Sequence, residues 1–225
     1  SCCRTGKVHS FLHAGTVKGN TAGAFGYKNT VTTDNAYVVG NNSTASADGA
    51  MVLGSSASVT GKNGVALGNN TKVANENAVA IGNGSETAAA VATPSATING
   101  VAHNFAGVNP ASTVSVGKAG AERTITNVAA GRISATSTDA INGSQLYAVT
   151  SEVDKGLRFD ADNNSEKTNK LGSKVTVNGD NNITTEITQT GDDTKIGVKL
   201  NQDINGNRYG YSESRRCDHG RSNSG

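Results

Sequence analysis

The stretch GSSASVTGKN, residues 54 to 63, sets glycines, hydroxyls and a lysine in the order that a phosphate-cradling loop uses. Six residues separate Gly54 from Gly61, and Asn63 follows Lys62. A P-loop needs four residues there and then Ser or Thr, because its amides must curl around the phosphates. The spacing excludes it. DADNNS, residues 160 to 165, opens like a calcium loop, with Asp160, Asp162 and Asn164 at alternate positions. Ser165 then stands where the turn requires glycine, and Leu171 where the bidentate acid belongs. His103 lies away from the chain ends, and no serine or carboxylate is spaced to form a triad with it. A loop residue is expected there. Asn42-Ser43-Thr44 and Asn83-Gly84-Ser85 are glycosylation sequons, which so asparagine-rich a chain produces by chance. No catalytic, cofactor-binding or metal residue is assigned, and no enzyme is expected.

The composition sets what elements can be built instead. Aromatics are 4% of the 225 residues, tryptophan is absent and there are 28 glycines. Small side chains suit thin layers stacked along an axis better than a thick globular core. A net charge of +2 is too small to argue for nucleic acid or a membrane surface, and no direct membrane insertion is expected. No apolar run nears the roughly 20 residues that span a bilayer, and the N-terminus shows no signal-peptide stretch. Cys2, Cys3 and Cys217 lie near the ends, so cysteine chemistry cannot hold the long middle together.

A repeat dominates that middle. NAVAIG (77–82) recurs upstream as GVALG, AMVLG, AYVVG and GAFG, placing Gly26, Gly40, Gly54, Gly68 and Gly82 fourteen residues apart. Immediately before each glycine stand Phe25, Val39, Leu53, Leu67 and Ile81, preceded by Ala24, Val38, Val52, Ala66 and Ala80. Five residues after it come Val31, Ala45, Val59, Val73 and Thr87, flanked by polar residues such as Thr44, Ser46, Ser58, Thr60, Lys72 and Glu86. Each period therefore predicts two short strands, one apolar on both faces and one with a single apolar position. Asparagine, serine and glycine fill the turns. The result is a flattened solenoid rising about 4.8 Å per coil, with the glycines at a corner.

Its interior accepts only one face of each strand. The other apolar column of the first strand must be covered, whether that is the residue two before the glycine or the pair flanking it. The simplest cover is another copy of the chain, so a homo-oligomer is expected.

These phrases resemble the head repeats of the YadA-like trimeric autotransporter adhesins. Asn77–Gly82 matches their NSVAIG motif with Ala78 in place of serine, and Asn63–Gly68 and Asn35–Gly40 match more loosely. GKAGAERTITNVAAGRISATSTDAINGSQLYAVTSEV, residues 117 to 153, resembles the family's neck, marking Asn127, Gly131, Asp139, Asn142, Gly143 and Leu146 as neck positions. The resemblance implies a left-handed parallel β-roll packed as a homotrimer, then a short coiled coil, then a small β-rich connector. It also implies the surface of a Gram-negative bacterium, anchored in the outer membrane by a C-terminal barrel absent here. Extracellular matrix proteins, host cells or other bacteria would be its partners, with Thr44, Ser46, Ser58, Thr60, Lys72 and Glu86 as the candidate adhesive face.

On this reading residues 1–19 are a disordered end and 20–117 the head, with an insertion at about 83–111. Residues 118–153 are neck and coiled-coil start, 154–204 the connector, and 205–225 a disordered, atypical tail. Within the neck, Ser137-Thr138-Asp139 is a helix start signal, Leu146, Val149 and Val153 form an a/d-like seam, and Gly143 falls inside the helix. In the connector, SKVTVNG, NITTEIT and TKIGVKL read as strands, turning at Asn178-Gly179 and Gly191-Asp192.

The alternative is an ice-binding β-solenoid, whose flat face would carry ranks of Thr-x-Thr. Thr30/Thr32, Thr44/Ser46 and Ser58/Thr60 supply three, but Lys72/Ala74 and Glu86/Ala88 break the array. A hexapeptide-repeat acyltransferase needs a period divisible by six, which fourteen is not.

Overall fold

The computed structural model describes residues 9–202. Two parallel sheets run through the repeats. The first contains β1 (His9–His13), β3 (Gly23–Tyr27), β5 (Tyr37–Asn41), β7 (Met51–Leu53), β9 (Val65–Leu67), β11 (Val79–Ile81) and β14 (Val114–Ser115). The second contains β2 (Thr16–Val17), β4 (Thr30–Val31), β6 (Thr44–Ala45), β8 (Ser58–Val59) and β10 (Lys72–Val73). Strands pair with the coil before and after at a register of fourteen: Val38 opposite Val52, Val52 opposite Ala66, Ala66 opposite Ala80. The fold is mainly β, a parallel solenoid.

Between the sheets lies a core of alanine and valine. Ala24, Val38, Val52, Ala66 and Ala80 enter from the first sheet, and Val31, Ala45, Val59 and Val73 from the second. The gap is thin because these side chains are small. Each buried valine contributes roughly 1.5–3 kcal/mol. At one corner a polar column is fully buried: Asn29, Ser43, Thr71 and Ser85. Asn29 Nδ2 donates to the Gly40 carbonyl at 2.5 Å, and Ser43 Oγ to the Gly54 carbonyl at 2.8 Å, so each hydrogen-bonds the next coil. The asparagines belong to left-handed turn positions, with φ near 55° at Asn35, Asn42, Asn63, Asn70 and Asn77. Asparagine tolerates that conformation better than other branched or charged residues do.

Residues 9–17 correct one expectation. They are two further strands of the roll, with Phe11 opposite Phe25 and Thr16 opposite Thr30, not a disordered end. The period hides there because Leu12 stands in the glycine column, opposite Gly26. Residues 1–8 and 203–225, which hold all three cysteines, lie outside the described residues.

Val79 pairs with Val114, so the last coil closes after an interruption. That interruption contains an antiparallel hairpin, β12 (Ser95–Ile98) with β13 (Val101–Asn104), turning at Asn99-Gly100. His103 sits on it opposite Ala96, exposed.

Beyond the roll, residues 122–142 form no strand or helix, and α1 spans Gly143–Asp154. The chain divides into two compact units after Tyr147, inside α1. The second holds two hairpins: β15 (Leu157–Phe159) with β16 (Lys167–Asn169), and β17 (Ile183–Thr190) with β18 (Asp193–Leu200). Gly191-Asp192 makes the expected two-residue turn between Thr190 and Asp193, with Gly191 at φ 59°. SKVTVNG does not form a strand. The turn there is one of Asp180 instead, whose Oδ1 accepts the amides of Asn182 and Ile183 at 2.8 and 2.9 Å.

Candidate functional site

Nothing in the roll gathers side chains into a reaction centre. GSSASVTGKN bends at 54–56, is extended at β8 and turns at 61–63, so it forms no single phosphate-cradling loop, and DADNNS is the loop joining β15 to β16, flanked by the Arg158–Glu166 ion pair. Among the described residues no group of histidine, cysteine, aspartate and glutamate could hold a metal. What repetition builds is two outward faces and a neck.

The second sheet brings together the polar candidates. Thr30, Thr44, Ser58 and Lys72 stand in register, one per coil, and Glu86 bridges to Lys72 in the next. Ser46 and Thr60 form a parallel exposed column two residues along. Lys72 Nζ lies 3.0 Å from Glu86 Oε1. The lysine's hydrogen bond, then its charge, holds the Glu86 carboxyl below its ordinary pKa. With Thr16 also in register below Thr30, hydroxyls give way to an ion pair after four ranks, and nothing supports an ice-binding face.

The first sheet settles which column faces out. The residues two before each glycine are interior, so the doubly apolar strand exposes the flanking pair. Phe25, Val39, Leu53 and Ile81 are between 42% and 57% exposed, and Tyr37 and Met51 beside them 46% and 50%. Leu67, Val65 and Val79 are half-buried. The stripe continues upward as a stacked Phe11–Phe25 pair with ring centroids 5.7 Å apart. Along it the backbone turns through the glycine column, where the next coil's carbonyl leaves no room for a Cβ at Gly26, Gly40, Gly54 or Gly68. Gly82 lacks that neighbour.

The neck is held by side-chain contacts, and three of the side chains involved carry no repeat signal. Arg123 contacts the last coil. Arg132 forms a two-pronged pair with Asp139, at 2.7 and 2.9 Å. Gln145 clamps both backbone groups of Gly131, accepting from its N–H at 2.9 Å and donating to its carbonyl at 2.6 Å. Asn142 donates to the Val128 carbonyl at 3.0 Å, and Asn127 takes φ 60°.

Asn142 also caps α1. Its Oδ1 accepts the Gln145 amide, and Gln145 Oε1 accepts the Asn142 amide, at 3.4 and 3.3 Å. This reciprocal box was readable in Asn-Gly-Ser-Gln. It corrects the start expected at Ser137–Asp139, whose carboxylate is engaged by Arg132. Gly143 is consequently the first helical residue rather than an interior one, and a side chain there would meet nothing within 4 Å. Leu146, Val149 and Val153 line one face and are 50–62% exposed in the single chain.

The sequence profile of the YadA head domain repeat matches twice, at residues 34–57 and 60–85. That of the coiled stalk of trimeric autotransporter adhesin matches residues 124–169. Autotransporter adhesin BtaE of Brucella suis biovar 1 (strain 1330) is 63% identical over 71 residues, 32% of this chain. Autotransporter adhesin EhaG of Escherichia coli O157:H7 is 35% identical over 109 residues, 48% of this chain. The matches span 10% and 7% of those relatives' lengths. A solved C-terminal YadA-like domain from Burkholderia pseudomallei is 54% identical, covering 43% of this chain and 46% of its own, with a TM-score of 0.42.

Proposed function

We propose, for a chain that belongs to the YadA-like trimeric autotransporter adhesins, that it is a non-enzymatic adhesive segment working as a homotrimer. The apolar stripe of Tyr37, Met51, Val39 and Leu53 faces the other copies, and the polar sheet faces outward. Its place is the surface of a Gram-negative bacterium, held by an outer-membrane barrel elsewhere in the protein. Among the described residues no helix is long and apolar enough to cross a membrane.

The observation that carries this reading is the in-register column Thr30, Thr44, Ser58, Lys72 and Glu86 on the outward sheet. A ligand made of repeated units, such as an extracellular matrix fibre or a polymeric cell surface, can take a weak contact from every coil. Three copies then multiply these contacts through avidity, by a factor on the order of 10² to 10⁴. Adhesion is therefore distributed, with no single essential residue. Binding of the trimer to immobilised matrix proteins and to whole cells tests it. Alanine at any one of Thr44, Ser46, Ser58, Thr60, Lys72 or Glu86 is expected to weaken binding slightly. Deleting residues 41–68 is expected to abolish it with the trimer intact. A point variant that eliminates adhesion would place the site in a local pocket instead.

A further inference from the structure

We infer that Arg123 is the end cap of the roll, and that it makes the neck indifferent to how many coils precede it. A parallel solenoid leaves carbonyls and a buried polar column unpaired at its last coil, and an open end of this kind invites pairing with another chain. In earlier coils the next coil closes that end. Asn29 Oδ1 accepts the Ser43 amide at 3.0 Å and Ser43 Oγ the Ala57 amide at 3.1 Å. At Gly26, Gly40, Gly54 and Gly68, the following glycine's backbone fills the corner.

The last coil differs. Gly117 has left the corner, its carbonyl accepting the Glu86 amide at 2.9 Å. The space above Gly82 is occupied by the Arg123 guanidinium, 3.3 Å from where a Cβ would stand. One nitrogen, Nη1, donates to Ser85 Oγ at 2.9 Å and to the Val116 carbonyl at 2.6 Å. The other, Nη2, donates to the Asn83 carbonyl at 2.5 Å. Ser85, fully buried, donates its own proton to the Ile81 carbonyl at 2.7 Å, so Arg123 completes it as an acceptor. The planar fork serves three acceptors in the place of a coil, a geometry that a lysine ammonium on a single stem does not reproduce.

Each acceptor of the Arg123 guanidinium belongs to the last coil or to the segment that closes it. Coils can then be added or lost upstream without altering the joint to the neck.

Amide hydrogen exchange on the assembled protein tests this. In Arg123→Ala the amides of Val79, Ser85 and Glu86 are expected to exchange roughly tenfold to a hundredfold faster, the scale of lost hydrogen bonds to a charged group. Amides of Gly54 and Ser56 should keep their rates. Arg123→Lys is expected to recover little of the loss. A chain in which residues 55–68 are duplicated should keep last-coil protection unchanged. Uniform acceleration across all coils, full rescue by lysine, unchanged exchange in the alanine variant, or loss of last-coil protection after duplication each overturns the assignment.

Discussion

Arg132 and Asp139 face each other across the neck with Nε 2.7 Å from Oδ2 and Nη2 2.9 Å from Oδ1, and the Arg132 backbone N–H adds a third bond to Oδ2 at 3.0 Å. The guanidinium first, then that backbone bond, holds the Asp139 carboxyl below its ordinary pKa, and the carboxylate raises that of Arg132. Because the folded carboxyl is the stronger acid, its contribution to the neck is complete above the unfolded carboxylate's pKa. It is lost only as pH falls through the lower folded value. The neck is therefore expected to be insensitive between about pH 8 and 5. An NMR titration following the Asp139 carboxyl and the Arg132 Nε–H should give a midpoint below the ordinary aspartate range. A midpoint at or above that range rejects the pair, and Asp139→Asn should erase the acid step while loosening Gly131 and Arg132 at neutral pH.

The two faces of the first sheet predict opposite failures. Val38 and Val52 are 1% exposed inside the roll, whereas Val39 and Leu53 are 46% and 55% exposed on the stripe. Aspartate at Val38 or Val52 puts an unpaired charge among alanines and valines and should cost several kcal/mol, unfolding the coil. Aspartate at Val39 or Leu53 should leave each roll folded and weaken the trimer. Circular dichroism melting beside sedimentation equilibrium separates them. A Val38→Asp chain that melts normally would mean the sheet faces the other way.

Two glycines separate backbone strain from collision. Gly68, at φ 136°, has the Gly82 carbonyl carbon 2.7 Å from where a Cβ would be. Gly84, at φ 71°, has nothing within 4 Å of that place. Gly84→Ala meets only the left-handed conformation and should cost about 1–2 kcal/mol. Gly68→Ala must also push neighbouring coils apart, and should cost clearly more than that. Thermal or urea melts of both variants check the order, and equal losses would remove close approach as the reason for the glycine column.

The period made the roll legible because one physical demand, close stacking of coils, recurs every fourteen residues and leaves a glycine behind. Where that corner is turned without a positive φ the signal vanishes, as at Leu12. Which column faced out was not legible, because alanine and valine serve as well inside a thin roll as phenylalanine and leucine do outside it. The neck was legible as a resemblance but not in its mechanics. Arg123 and Gln145 act on backbone groups, and backbone partners leave no trace in sequence spacing. Ser-Thr-Asp at 137–139 misled for a different reason: a helix cap and an arginine partner call for the same carboxylate, and Asp139 pairs with the Arg132 side chain. The connector's SKVTVNG alternates as a strand should, yet Asp180 binds two amides just after it and sets the turn there.

The last prediction concerns the helix. α1 has twelve residues and none of them is buried in the single chain. Isolated helices shorter than about 12–15 residues are marginal in water, so the capping box alone cannot sustain it. In the proposed trimer Leu146, Val149 and Val153 are covered by a seam with the other copies, as an a/d pattern provides. Aspartate at both Leu146 and Val149 should therefore abolish helical ellipticity in the trimer while the β-signal of the roll persists, because the roll's core runs from Ala22 to Ala80 with Leu12 and Val17 packed against it, and takes no residue from α1. Asn142→Ala should be milder, costing about 1 kcal/mol through the lost cap. Helix content measured against protein concentration distinguishes the cases. A helix that stays formed in Leu146→Asp/Val149→Asp at nanomolar concentration would show that it needs no partner copy, and would leave the apolar stripe of the roll as the sole seat of assembly.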